Sequence, residues 1–254
     1  MGAPGGPVLK EERQRRIVDL LRQEGRVIAA DLPDRLGVSG HTVRRDLEEL
    51  AEAGALRRVH GGAVPRSPVA STYAERATQS VEGKQAVARA AASLLEPGGV
   101  AIVDGGTTAL ALAGLLPPAT FVTHSPLVAA ALAERDRPDV VLLGGTLDPG
   151  PMVAVGAETI RGYERITADV CFLAIWSLHA GAGITGRYRE EAEVRRVMVE
   201  RADRVVGLTT RDKLGTVSAF ASAPATALTH LAVEPGTPDE LLAPFRELGI
   251  AIVS

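Results

Sequence analysis

From about residue 100 to its end, the chain alternates short apolar runs with helical stretches, and each run stops at glycine or small polar residues. Residues 100–103, 120–123, 140–143, 170–175, 204–208, 228–233 and 250–253 have the length and composition of strands. Residues 108–116, 126–134 and 190–202 read as helices between them. This alternation restricts the fold severely. Adjacent parallel strands need a long crossover, and the helices that supply it cover both faces of the sheet. The prediction is an α/β domain with a mainly parallel sheet over residues 75–254. A mostly helical stretch, 73–95, leads into it and ends at Pro97-Gly98-Gly99.

The turns that follow consecutive strands carry the chemistry. Asp104-Gly105-Gly106-Thr107-Thr108 leaves a strand and opens a helix. Glycine lets the backbone approach an anion, and the helix N-terminus supplies free N–H groups for a phosphate. The same turn also fits plain conformational punctuation, and it is no Walker loop, because no lysine follows the glycines at the required place. Thr123-His124-Ser125 and Gly144-Gly145-Thr146 sit at the next two strand ends. Three such turns after consecutive parallel strands converge at one sheet edge, where ligands bind in folds of this kind.

Residues 1–64 read differently. Residues 11–24 form a helix with Ile17, Leu20 and Leu21 on one face, stopped at Gly25. Residues 27–36 read as a second short helix closed by Gly37, although Pro33 lies inside it. Residues 39–53 form a third, with Ser39 as cap and Val43, Leu47 and Leu50 as the buried stripe. A basic strand and a Gly-Gly turn over 55–63 complete a β-hairpin wing, so an α+β winged helix-turn-helix is expected. His41, Thr42, Arg44 and Arg45 lie off the buried stripe, near the end a recognition helix presents to base edges. Arg57, Arg58 and His60 on the wing suit phosphates or the minor groove, and Asp46 suits a nearby arginine. Two adjacent arginines on a helix also fit a solvated face, and the three helices could serve protein contacts alone. Pro65-Arg66-Ser67-Pro68 marks a linker, placed at 65–74.

Composition bounds the rest. The net charge is −3, with 12 basic against 10 acidic residues in 1–66, so DNA affinity has to come from local arginine placement. The lone Cys171 excludes an intramolecular disulfide and a cysteine-rich zinc site, and neither metal nor cofactor is expected. The leader before Val8 lacks a cationic start or an apolar core, and no apolar run is long enough to span a membrane. The expectation is a soluble, cytoplasmic chain.

Val38-Ser39, Thr42-Val43-Arg44-Arg45-Asp46-Leu47, Leu50, Gly54, Leu56, Arg58 and His60-Gly61-Gly62-Ala63 together closely resemble the winged-helix signature of DeoR-family transcriptional regulators. Residues 75–254 resemble that family's C-terminal domain, which is related in fold to ribose 5-phosphate isomerase. The family's Asp-Ser-Gly-Thr-Thr falls on Asp104 to Thr108, its Thr-Asn-Ser on Thr123 to Ser125, and its Gly-Gly on Gly144-Gly145. Gly183-Ile184-Thr185, Glu191-Ala192 and Asp212 to Gly215 match further family positions.

The resemblance implies a repressor of a carbohydrate-metabolism operon that binds double-stranded operator DNA as a homodimer or homotetramer. Its effector would be a sugar phosphate or related phosphorylated metabolite, with Lys213 as the phosphate or hydroxyl partner. The implied pocket takes in Asp104 to Thr108, Thr123, His124, Ser125, Gly144, Gly145, His179, Glu191 and Lys213. Gly105 and His124 stand where the family has Ser and Asn, and His179 and Thr210 replace two carboxylates, which suits a more anionic ligand or one with fewer hydroxyls to bind. The loss of those acids also weighs against the alternative, a sugar-phosphate isomerase fused to an interaction domain, since isomerisation needs a well-placed base.

Overall fold

The computed structural model of the protein describes residues 9–24, 27–59, 61–65, 72–135 and 139–254. The chain divides between Ser67 and Pro68 into two compact units.

The first unit contains α1 (Lys10–Glu24), β1 (Val27–Ile28), α2 (Leu32–Leu36), α3 (Gly40–Glu52), β2 (Leu56–Val59) and β3 (Gly62–Pro65). Its three strands form an antiparallel sheet in the order β1-β3-β2. The expected helix over 27–36 is therefore shorter. Val27 and Ile28 are a strand, and Pro33 lies in the first turn of α2, where its missing N–H costs nothing. Gly62 is needed by this arrangement, because a Cβ there would stand 2.0 Å from the Val27 carbonyl oxygen. Ile17 and Leu21 of α1, Leu32 and Leu36 of α2, and Val43, Leu47 and Leu50 of α3 close one core over Val27, Leu56 and Ala63.

The second unit begins with α4 (Tyr73–Thr78) and α5 (Val81–Ala92), which are separate because Ser80 between them adopts φ 48°. There follow β4 (Val100–Val103), α6 (Thr107–Ala113), β5 (Thr120–Thr123), α7 (Pro126–Ala133), β6 (Asp139–Leu142), β7 (Thr146–Asp148), β8 (Val153–Val155) and α8 (Ala157–Glu164). The chain continues through β9 (Ala168–Ala174), β10 (Ser177–His179), β11 (Gly183–Gly186), α9 (Arg189–Glu200) and β12 (Ala202–Leu208). It closes with β13 (Phe220–Ala223), β14 (His230–Ala232), α10 (Asp239–Glu247) and β15 (Ala251–Val253).

Seven strands form a wholly parallel sheet in the order β15-β14-β12-β9-β4-β5-β6. The side-chain alternation of each strand splits the core in two. Ile102, Cys171, Leu173 and Val205 pack with Tyr163, Val194, Met198 and Phe245. Ala101, Val103, Phe121, Phe172 and Val206 pack on the other face with Val87, Ala91, Leu112 and Leu132. Strand order reverses between β4 and β9, so the carboxyl ends of these two strands are the sheet's topological switch point.

Candidate effector site and nucleic-acid interface

In the first unit, Ser39 caps α3 as expected, its Oγ accepting from the Thr42 backbone N–H at 3.2 Å. The Thr42 hydroxyl lies 2.9 Å from the same oxygen. His41, Arg44 and Arg45 are exposed beside this cap. Arg45 also reaches Glu49 one turn on, at 3.3 Å. Arg58 on β2 pairs with Glu48 of α3 at 2.8 Å, which fixes the wing strand to the helix, and Arg57 is half-buried. His60 lies outside the described residues. Asp46 does not read bases. It is buried, and both of its oxygens accept from Arg13 of α1, at 3.0 Å from Nη2 and through a second bond from Nε.

In the second unit, the switch point gathers charged groups from well-separated parts of the sequence. Asp104, just beyond β4, is wholly buried. Its oxygens accept from Gly105 N–H at 2.7 Å, from Ala174 N–H at 3.0 Å and from Arg195 Nε at 2.9 Å. The neighbouring turn is packed shut. A Cβ on Gly105 would stand 2.1 Å from Val153 Cγ1 of β8, so no side chain fits where the family has serine. Thr107 is half-buried and Thr108 buried at the start of α6, which follows Gly106.

His124 at the end of β5 is also fully buried. Its Nδ1 lies 2.7 Å from the Tyr163 hydroxyl, and its Nε2 faces Asp104 Oδ1 at 3.7 Å without a hydrogen-bond partner. Burial pushes the imidazole down to about 4, so the ring is neutral at pH 7, and burial drives the Tyr163 phenol upward. From α9, Arg195 also pairs with Glu191 at 2.9 Å. The other Glu191 oxygen is buried with no partner, and burial raises the carboxyl to about 7 despite the pull of Arg195. Lys213, in a 3₁₀ turn over Arg211–Lys213, donates to the Ile175 carbonyl at 3.0 Å. Burial lowers its ammonium to about 8, and the cations Lys84, Arg195 and Arg76 add to the effect against Asp212.

The structure thus brings Asp104, His124, Glu191 and Lys213 around the end of β9. Other expected residues are spent on turns. Thr123 Oγ1 accepts from Ser125 N–H at 3.1 Å, and Ser125 Oγ caps α7. Gly144 and Gly145 are exposed where β6 turns into β7, and the Gly144 carbonyl accepts from Thr159 at 2.8 Å. His179 closes the β10–β11 hairpin, its Nδ1 accepting from Gly181 and Ala182 N–H at 3.1 Å each. Arg195 and Tyr163 were not foreseen. Arg195 had a legible signal, since it stands four residues after Glu191 on the same helix face as Ala192, Val194 and Met198. Tyr163 had none beyond being one of only three tyrosines.

A winged helix-turn-helix joined in one chain to an α/β unit with a charged cluster at its switch point defines a DNA-binding regulator with a sensor domain. The chain belongs to the DeoR family of transcriptional regulators. Residues 13–69 match the DeoR-like helix-turn-helix domain and residues 79–234 the DeoR C terminal sensor domain. Similar proteins include the HTH-type transcriptional regulator GlpR of Haloferax volcanii, 38% identical, which covers 82% of this chain and 83% of the relative. The HTH-type transcriptional repressor GlcR of Bacillus subtilis is 31% identical, with 83% of each chain covered. The glycerol-3-phosphate regulon repressor of Escherichia coli is 29% identical over 80% of this chain and 82% of its own length.

Proposed function

We propose that the chain represses a carbohydrate-metabolism operon and releases its operator when a phosphorylated sugar or related metabolite occupies the crevice between β4 and β9. The observation that carries this reading is the Lys213 ammonium held at the Ile175 carbonyl, beside the Asp104–Arg195–Glu191 cluster at the switch point. A half-buried cation next to groups that can exchange hydrogen bonds with hydroxyls suits a polyhydroxylated phosphate monoester. Two relatives are named as repressors, one of them of a glycerol-3-phosphate regulon, which supports both the sign and the ligand class.

In this reading Lys213 and Glu191 meet the effector, while Asp104 and His124 hold the floor of the crevice. Gly105, Gly106, Thr107 and Thr108 shape the turn beside it, and Gly144, Gly145, Thr123, Ser125 and His179 shape its rim. Ser39, Thr42, Arg44, Arg45, His41 and the wing arginines contact DNA. The chain acts in the cytoplasm as a homodimer or homotetramer, because repeated half-sites require paired winged helices. In this reading the domain senses a sugar phosphate and does not isomerise it: three donors occupy the Asp104 carboxylate, and His179 and Thr210 stand where the family has carboxylates, which leaves Glu191, raised to about 7, as the one candidate base. A thermal-shift screen of phosphorylated sugars tests the proposal. One or more should raise the melting temperature in a concentration-dependent way, and the same compounds should not be turned over in an aldose–ketose assay. Isomerase turnover at ordinary enzyme rates reverses the assignment.

A further inference from the structure

The seven-stranded sheet ends on one side at β6, and that edge is open. β6 lies parallel to β5, with Thr120 beside Asp139 and Val122 beside Val141, and Leu143 N–H donates to the Thr123 carbonyl. In such a ladder alternate residues turn to one neighbour, so Asp139, Val141 and Leu143 bond to β5. Val140 and Leu142 turn their N–H and C=O groups the other way, where no strand lies among the described residues. The side chains are left open too. Val141 is 41% and Leu142 50% exposed, and they stand on opposite faces of the sheet. Val140 packs against the core of Phe121 and Leu132, and Leu143 against that of Ile102 and Tyr163, so both cores reach β6 without covering it. Edges of this kind pair with other strands unless lysine, proline, a bulge or a covering segment blocks them. β6 is as long as β4 and β5, keeps a regular register and carries one charge, Asp139 at its start. The opposite edge differs, since Ile252 and Val253 of β15 are half-buried.

We infer that β6 pairs antiparallel with β6 of a second copy of this chain, about a two-fold axis at Val141, so that two sensor sheets become one. The occupant follows from three features. Free N–H and C=O groups on Val140 and Leu142 call for a strand. Apolar side chains open on both faces call for a strand that brings its own flanking helices, which a lone peptide lacks. The edge is also complementary to itself. Centred on Val141, Val140 meets Leu142 of the second copy and Leu142 meets its Val140, and each pair exchanges both N–H···O bonds. Val141 meets Val141 of the second copy as the non-hydrogen-bonded pair between them, where side chains lie closest. This register sets Asp139 opposite Leu143, so the two Asp139 residues stay roughly 14 Å apart at the ordinary rise per residue. The inference rests on the pairing of copies proposed above and names the surface that makes it, whatever the effector is.

Sedimentation equilibrium of the full chain tests this. The wild type should be a dimer or an even multiple of the chain. Leu142→Pro removes an outward N–H that no bond to β5 uses, so the sheet should survive and the mass should fall by half at the same concentration. Val141→Lys should do the same by setting two ammonium groups face to face across the axis. Melting curves check that each variant is folded. Cross-linking reads the register without disrupting the edge. A non-hydrogen-bonded pair stands about 4.5 Å apart at Cα, within disulfide range, so Val141→Cys should form a covalent dimer on mild oxidation at least about tenfold faster than Asp139→Cys. Cys171 is buried and stays out of this reaction. Wild-type mass in both edge variants, or equal cross-linking from positions 139 and 141, overturns the β6 interface and leaves pairing through another surface standing. A monomeric wild type overturns the pairing as well.

Discussion

Removing Asp46 should unfold the winged helix while leaving the sensor intact. Asp46 is 1% exposed and Arg13 9%, and they join α3 to α1 through two hydrogen bonds. In Asp46→Ala the guanidinium stays buried without its carboxylate, which typically costs about 3–5 kcal/mol. A unit of some 60 residues has only about 3–9 kcal/mol in hand at ordinary stability per residue. The substitution therefore consumes from about a third to all of it. The second tie between these helices, Glu49 with Lys10 and Gln14 at 2.7 Å each, is partly exposed and screened, so it does not compensate. The assay is urea unfolding of the full chain. Trp176 fluorescence follows the sensor alone, and far-ultraviolet circular dichroism follows both units. In Asp46→Ala the fluorescence transition should be unchanged, while the helical signal of the first unit is lost at or near zero urea. The double variant Arg13→Met, Asp46→Leu should regain most of the loss, because an apolar pair leaves no buried charge. A loss below about 1 kcal/mol in Asp46→Ala, or a double variant no more stable than the single, refutes the reasoning.

Arg44→Ala and Arg45→Ala should each weaken operator binding by roughly 1–3 kcal/mol if they read bases, measured by gel shift. An unchanged affinity in the pair assigns the helix to protein contacts. Glu191 ionises near pH 7 in the folded chain but near 4.5 when unfolded, so its contribution to stability is present below 4.5 and is lost as pH rises to about 7. Stability relative to Glu191→Gln should therefore fall across that window by on the order of 3 kcal/mol, read from denaturation midpoints at each pH. His124 has the opposite sign, since its folded value near 4 lies below the ordinary 6.5. Stability relative to His124→Asn should decline as pH falls from 6.5 toward 4. Gly105→Ser, which restores the family's residue, should destabilise by about 1–3 kcal/mol through its clash with Val153, and Val153→Ala should relieve most of that, as melting curves would show.

The parallel sheet was legible because its central strands β4, β5 and β9 are buried on both faces and read as apolar runs between helices. Residues 100–103 and 120–123 match β4 and β5 at both ends. The hairpins β7–β8 and β10–β11 were not legible, since strands of three or four residues are too short to show a period. α10 carries Pro244 inside it and α8 carries Gly162, so both lack a clean helical signal. In the first unit Pro33 was misread as interior because β1 took the residues before it. At the candidate site, the turn sequences point to one sheet edge but not to which side chains gather there. Thr123 and His179 turn to backbone N–H groups nearby, whereas Arg195, Tyr163 and Arg76 arrive from distant segments and no local pattern announces them.

Under the proposed function, occupancy of the β4–β9 switch point controls operator binding. Fluorescence anisotropy of labelled operator DNA with the full chain tests it, as the phosphate monoester that stabilises the wild type is titrated in. The wild type should release DNA over the concentration range that raises its melting temperature. Lys213→Met should bind the same DNA as tightly and need at least about tenfold more ligand to let go. Operator binding that persists in the wild type at saturating ligand, or release from Lys213→Met at wild-type concentrations, contradicts the claim.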